Sequence, residues 1–119
     1  MSVFQFRGFG ALPIAVRVTG NTVTTVVDAS NQSITVPWFQ VNEHAGSTPN
    51  LTVDLYDGTN AVYVGDDGGT TWNAKAVTAN KSLLFTQGIV VPKGSKLRVT
   101  SSDAAGKFHV VGLQVLNIG

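Results

Sequence analysis

Along most of the chain, short apolar runs rich in Val, Thr, Ile and aromatic residues alternate with clusters of Gly, Asn, Asp, Ser and Pro. Within the runs the period is two. "SVFQFR" sets Phe4 and Phe6 against Val3 and Gln5, and "LTVDLY" sets Leu51, Val53 and Leu55 against Thr52, Asp54 and Tyr56. A period of two is that of a strand with one buried face. About nine such runs recur at roughly 8–12-residue spacing, which predicts an all-β, antiparallel β-sandwich, jelly-roll-like. Crossover helices are missing between the runs, so a parallel α/β fold is disfavoured.

The punctuation adds detail. "IAVRVTGNTVTTVVD" reads as a hairpin turning at Gly20-Asn21. In "SITVPWFQV", Ile34, Val36 and Trp38 fall on one face, so Trp38 is expected in the core. Pro37 removes a backbone donor there and predicts an edge strand or a bulge. "DGTN" turns the strand ending at Tyr56 into "AVYVG", and "PKGSK" bends the chain at Pro92 and Gly94. "AKAVTANKS" is the one candidate for a helical turn. The final run opposes Phe108 and Val110 to His109, Val111, Leu113 and Val115. Being apolar on both faces, it should be a central strand or meet another subunit.

A chain of 119 residues reads as one domain, 1–119, able to bury a core without staples. It has no cysteine, which removes disulfides, thiolate nucleophiles and cysteine-based zinc sites. Its net charge of +1 argues against nucleic acid or anionic membrane as a partner. The start lacks a basic segment followed by an unbroken apolar stretch, so no export signal is expected. Charged residues make up only 13% of the chain, against roughly 25% in an ordinary domain. A surface so poor in charge is prone to associate, and charge depletion marks interface cores. This points to a subunit of an assembly.

The candidate chemical groups are few. Asp57-Gly58 and Asp66-Asp67-Gly68-Gly69 have the chemistry of tight turns, with a loop calcium site the alternative. Glu43 is the only glutamate, and His44 and His109 are the only histidines. No spacing joins them into a carboxylate pair, a triad or a helical zinc motif. The expectation is therefore a non-enzymatic protein with neither metal nor cofactor. Trp72, after a Gly-rich turn, and Tyr63 are candidates for exposed contacts. Phe4, Phe6 and Phe9 lie in residues 1–10, which read either as a first strand or as an arm that adds to a neighbour's sheet.

"LTVDLYDGTNAVYVG", "VTANKSLLFTQGIVVPKGSKLRVTSS" and "KFHVVGLQVLN" resemble small bacteriophage virion accessory proteins. In these, a strand ending in Tyr-Asp-Gly-Thr precedes a G-S-x-L-R-V-T-S strand and a final apolar strand. The resemblance covers roughly residues 33–118. It implies a β-sandwich that decorates or cements a capsid, or builds its neck or tail, in a virion assembled in the host cytoplasm. The implied partners are the major capsid protein or other virion subunits and further copies of the chain, with a trimer favoured. Phe4, Phe6, Phe9, Tyr63 and Trp72 would be the interface anchors. A carbohydrate-binding or receptor-recognition module is the alternative on the same scaffold.

Overall fold

The computed structural model describes residues 11–44, 46–65, 71–102 and 107–117. Phe4, Phe6, Phe9, Asp66 and Asp67 lie outside them. The described residues are all-β with no helix, in two antiparallel sheets packed face to face. In the first sheet β10 (Phe108–Leu116) lies between β1 (Ala11–Val18) and β3 (Ile34–Glu43). The far side of β3 pairs with β7 (Ser82–Phe85) and β8 (Ile89–Val91), one after the other along its length. In the second sheet β9 (Lys96–Ser101) lies between β2 (Val23–Asp28) and β4 (Asn50–Tyr56). The far side of β4 carries β5 (Ala61–Tyr63) and β6 (Lys75–Ala76).

The core is the inner face of both sheets. Val18, Val36, Val41, Val53, Val99 and Val110 are fully buried between them. Phe39 stacks on Phe85 at 4.9 Å, and both meet Trp72 edge-on, at 5.9 and 6.1 Å. Each side chain of this size contributes about 1.5–3 kcal/mol by burial, and edge-on aromatic pairs add to it.

Two expected local features differ. Gly20-Asn21 does turn the chain, with Asn21 at a φ of 56°. It does not make a hairpin: β1 pairs with β10 and β2 with β9, in different sheets. Asn21 donates its N–H to Ser101 O at 2.9 Å, so this corner is tied to β9 rather than closed between β1 and β2. The stretch "AKAVTANKS" is not helical. Lys75 and Ala76 pair with β4, and Thr78–Lys81 forms a turn in which Lys81 donates to Thr78 O, with Asn80 at a φ of 59°.

Pro37 lies at a bulge, as one of its two expected readings had it. Between Thr35↔Val115 and Trp38↔Leu113, β3 has one residue more than β10. Pro37 has no register partner in β10, β7 or β8. The extra residue reverses the alternation. Before it Ile34 and Val36 point inward; after it Phe39, Val41 and Glu43 do. Trp38 is therefore turned out to solvent, 38% exposed, contrary to the expected core position.

Candidate functional site: an uncharged outer sheet face

The bulge decides what the first sheet shows to solvent. Its cross-strand register orders the outward residues into four rows. Ala11, Val115, Thr35 and Val90 form one end, followed by Pro13, Leu113 and Trp38, then by Ala15, Val111, Gln40 and Leu84. Arg17, His109, Asn42 and Ser82 form the other end. An antiparallel sheet that faces water on one side normally reads polar there. This one carries Leu84 at 55%, Val90 at 53% and Val111 at 37% exposure around Trp38, and no acid in any row.

The amide and hydroxyl side chains in these rows, those of Thr35, Gln40, Asn42 and Ser82, already have hydrogen-bond partners. Gln40 Nε2 donates to Asn42 Oδ1 at 2.9 Å, and Ser82 Oγ donates to the same oxygen. Asn42 Nδ2 donates to His109 O, and Thr35 Oγ1 donates to Asn117 Oδ1. Groups satisfied within the sheet lose little when water is removed. The face can thus be covered at small polar cost.

One end carries Arg17, the one permanent charge in these rows. The rings of His44 and His109 stack at 3.6 Å between centroids, and Arg17 is the register partner of His109. Desolvation first, then the neighbouring His44 and Arg17 charges, hold the His109 imidazole below its usual pKa. A shallow depression of about 270 Å³ runs along β1 and β10 here, past Ala15, Arg17, His109 and Val111. The two histidines are 65 positions apart, and only the β3–β10 register, Asn42↔His109, brings them together.

The other singled-out residues have structural work. Glu43 is buried and accepts N–H bonds from Gly46 at 3.1 Å and Asn80 at 2.8 Å, tying two loops together. Asp57 Oδ1 accepts the N–H groups of Thr59 and Asn60, which lowers its pKa and closes the turn between β4 and β5. Asp54, which reads as an outward strand residue, is 6% exposed and holds Arg98 through two 2.8 Å bonds. The Arg98 guanidinium lies 3.8 Å over the Tyr56 ring, and Asp54 raises its pKa. Among the described residues no group of three or more His, Cys, Asp or Glu could hold a metal ion.

Of the described interface candidates, Tyr63 is 43% exposed, in register with Asp54 on the outer face of the second sheet. Trp72 is 1% exposed, against the expectation of an exposed contact. It follows the Gly65↔Thr71 bridge, donates its N–H to Val64 O at 2.7 Å and accepts from Val53 N at 2.8 Å. Those bonds lay it along β4 with its ring in the core. The two tryptophans have exchanged their expected places. Pro37 was the one sequence signal for the exchange at Trp38; nothing local signalled the burial of Trp72.

No family model matches the chain, and no curated protein matches it. Among solved structures it is similar to the disulfide-linked pili of Bacillus endospore appendages: 15% identity, TM-score 0.44, covering 92% of this chain and 91% of that one. It is similar to a pentameric capsid protein from metagenomic phage sequences at 20% identity and TM-score 0.43, covering 87% of this chain and 64% of that one. A third likeness is to the infectious bursal disease virus T13 particle at 19% identity and TM-score 0.41, covering 89% of this chain and 30% of that one.

Proposed function

We propose that this chain is a non-enzymatic structural subunit of a bacteriophage virion, and that it acts as a decoration or cement subunit on the lattice of the major capsid protein. One observation carries the reading: the first sheet turns an apolar, acid-free outer face to solvent around Trp38, in a chain with only 13% charged residues. Exposed apolar patches of this kind mark interaction sites. The resemblance of residues 33–118 to virion accessory proteins supports it. So does the strand order β1-β10-β3-β7 against β2-β9-β4-β5, which fits a jelly-roll-like wrapping of the sort viral capsid domains use.

The mechanism is burial. Apolar area removed from water stabilises by about 25 cal/mol per Å² before association costs, and repetition over a shell multiplies weak contacts through avidity. Residues 1–10, with Phe4, Phe6 and Phe9, would serve as an arm to a neighbouring subunit. Catalysis is disfavoured because the only glutamate holds two loops together. The test is incubation of the purified chain with particles of the virus that encodes it, lacking this subunit. Binding at a fixed ratio with a raised particle melting temperature is expected; no binding refutes the proposal.

A glycan-binding module is the second reading. The observation for it is Tyr56 and Tyr63 flanking the Arg98–Asp54 pair on the outer face of the second sheet. Stacking rings beside fixed donors and acceptors suit a sugar. A glycan array that lights up with the native chain, and goes dark with Tyr63→Ala, would favour it.

A further inference from the structure

We infer that the end of the first sheet holding Arg17, His44, Lys107 and His109 is a carboxylate site, filled by an Asp or Glu side chain of the capsid protein that covers the outer face. This rests on the proposal that the face is an assembly surface, and it names what the partner must bring there. Arg17 and His109 are register partners across β1 and β10, with their Cβ atoms about 5 Å apart. His44 continues β3 past Asn42, the partner of His109, and its ring stacks on the His109 ring. The His44 N–H donates to Lys107 O at 3.2 Å, which brings Lys107 to the same end. Arg17 and Lys107 are exposed, and among the described residues neither side chain has an ion pair or a hydrogen bond. Arg98, by contrast, has Asp54. The acid nearest in sequence, Glu43, is buried on the opposite phase of β3 and holds the N–H groups of Gly46 and Asn80.

Covering the face makes the open charge decisive. In water Arg17 needs no partner, and a surface ion pair adds little. Beneath another protein its guanidinium loses water, and an unmatched charge there weakens binding by orders of magnitude. A carboxylate of the partner restores the match through paired N–H···O bonds, the geometry Arg98 already makes with Asp54. The depression of about 270 Å³ past Ala15, Arg17, His109 and Val111 gives it room. Charge complementarity thus selects an acid, and the apolar rows beside it select a protein rather than a nucleic acid. A chain of net charge +1 neutralises too few phosphates to hold a nucleic-acid backbone.

The histidines give the site a signature. The groups facing the His109 ring are Arg17 from β1 and His44 from the end of β3, with Lys107 two positions before it; from β7 comes only the uncharged Ser82, beyond Asn42. Desolvation, and then the His44 and Arg17 charges, hold His109 below its usual pKa. A docked carboxylate reverses the sign of that field and favours the charged ring. Docking therefore takes up a proton, and affinity rises as pH falls from about 7.5 to about 6, where Asp and Glu stay ionised. For one proton the gain approaches about tenfold per pH unit.

Two probes test this. Poly-L-glutamate at low salt, where surface charge is least screened, is followed by the NMR ring-proton signals of His44 and His109. Saturable shifts and a raised His109 pKa are expected. Arg17→Gln should abolish both, and Arg17→Lys should keep part of each. Lys107→Gln is the second variant should Arg17→Gln fold poorly. Lys93→Gln should behave as the native chain, because Lys93 follows β8, whose Val90 lies in the row farthest from Arg17. The second probe is viral particles lacking this subunit. Native binding should tighten several-fold from about pH 7.5 to about pH 6, and Arg17→Gln should weaken it at least about tenfold. Ring signals unmoved by poly-L-glutamate overturn the inference, as does equal loss with Lys93→Gln. Double-stranded DNA that shifts the rings as strongly overturns it too, since the site then reads phosphate. Particle binding that ignores both Arg17 and pH overturns it while leaving the virion proposal standing. A chain that takes poly-L-glutamate at the rings but ignores particles does the reverse.

Discussion

Gly112→Ala is the sharpest test of how this sheet is built. Gly112 is on the inward phase of β10, opposite Phe39 of β3 and Ile14 of β1, one register step past the Leu113↔Trp38 pair that closes the bulge. A Cβ placed there would lie 2.6 Å from Trp38 O and 2.9 Å from Phe39 Cα and Cβ. Ordinary C···O contact is about 3.3 Å or longer, so the overlap with the carbonyl is about 0.7 Å. Two of the three atoms met are backbone, and neither can swing aside as a flexible side-chain end would. Overpacking of this kind costs about 1–3 kcal/mol. Loss of glycine's freedom in the unfolded chain returns about 0.4–1 kcal/mol. The net expectation is a loss of about 1–2 kcal/mol. With about 2.1 cal/mol/K of unfolding entropy per residue over 119 residues, this lowers Tm by about 4–8 °C. Thermal unfolding followed by circular dichroism reads it directly. An unchanged or raised Tm would refute the close approach of β10 to β3 and the bulge geometry that turns Trp38 outward.

Two further predictions concern charge. Asp54→Ala leaves the Arg98 guanidinium without its carboxylate; because Arg98 keeps 22% exposure and some access to water, the loss should be about 2 kcal/mol by urea unfolding, with Asp54→Asn losing less. His109 has its folded pKa below its ordinary value of 6.5, so the unfolded chain binds the proton more readily. Stability contributed at neutral pH is therefore lost as pH falls from about 6.5 towards the folded pKa, and urea midpoints of His109→Gln should show a shallower decline over that window than those of the native chain.

The sandwich itself was legible in the residues. Period-two runs such as "LTVDLY" and "LRVTS" and turn formers such as Asp57-Gly58 and Pro92 to Gly94 are local signals, and β4, β9 and their turns follow them. Both apolar faces of the last strand were legible too, and they place β10 between two neighbours. What was hidden is non-local. Whether Gly20-Asn21 closes a hairpin or leads from one sheet to the other depends on β9 and β10, which follow about 75 to 95 residues later.

By itself, the sequence determined that this chain is built of short strands with a surface poor in charge, because alternation and composition act residue by residue. Only the tertiary structure decided which tryptophan faces solvent. One inserted residue at Val36–Pro37 reverses the phase of everything after it, and that insertion is defined only against β10, more than seventy residues away. The acid-free face, the stacked histidines and the buried Trp72 come from pairings between distant segments, whose energies belong to the contact rather than to either stretch of chain.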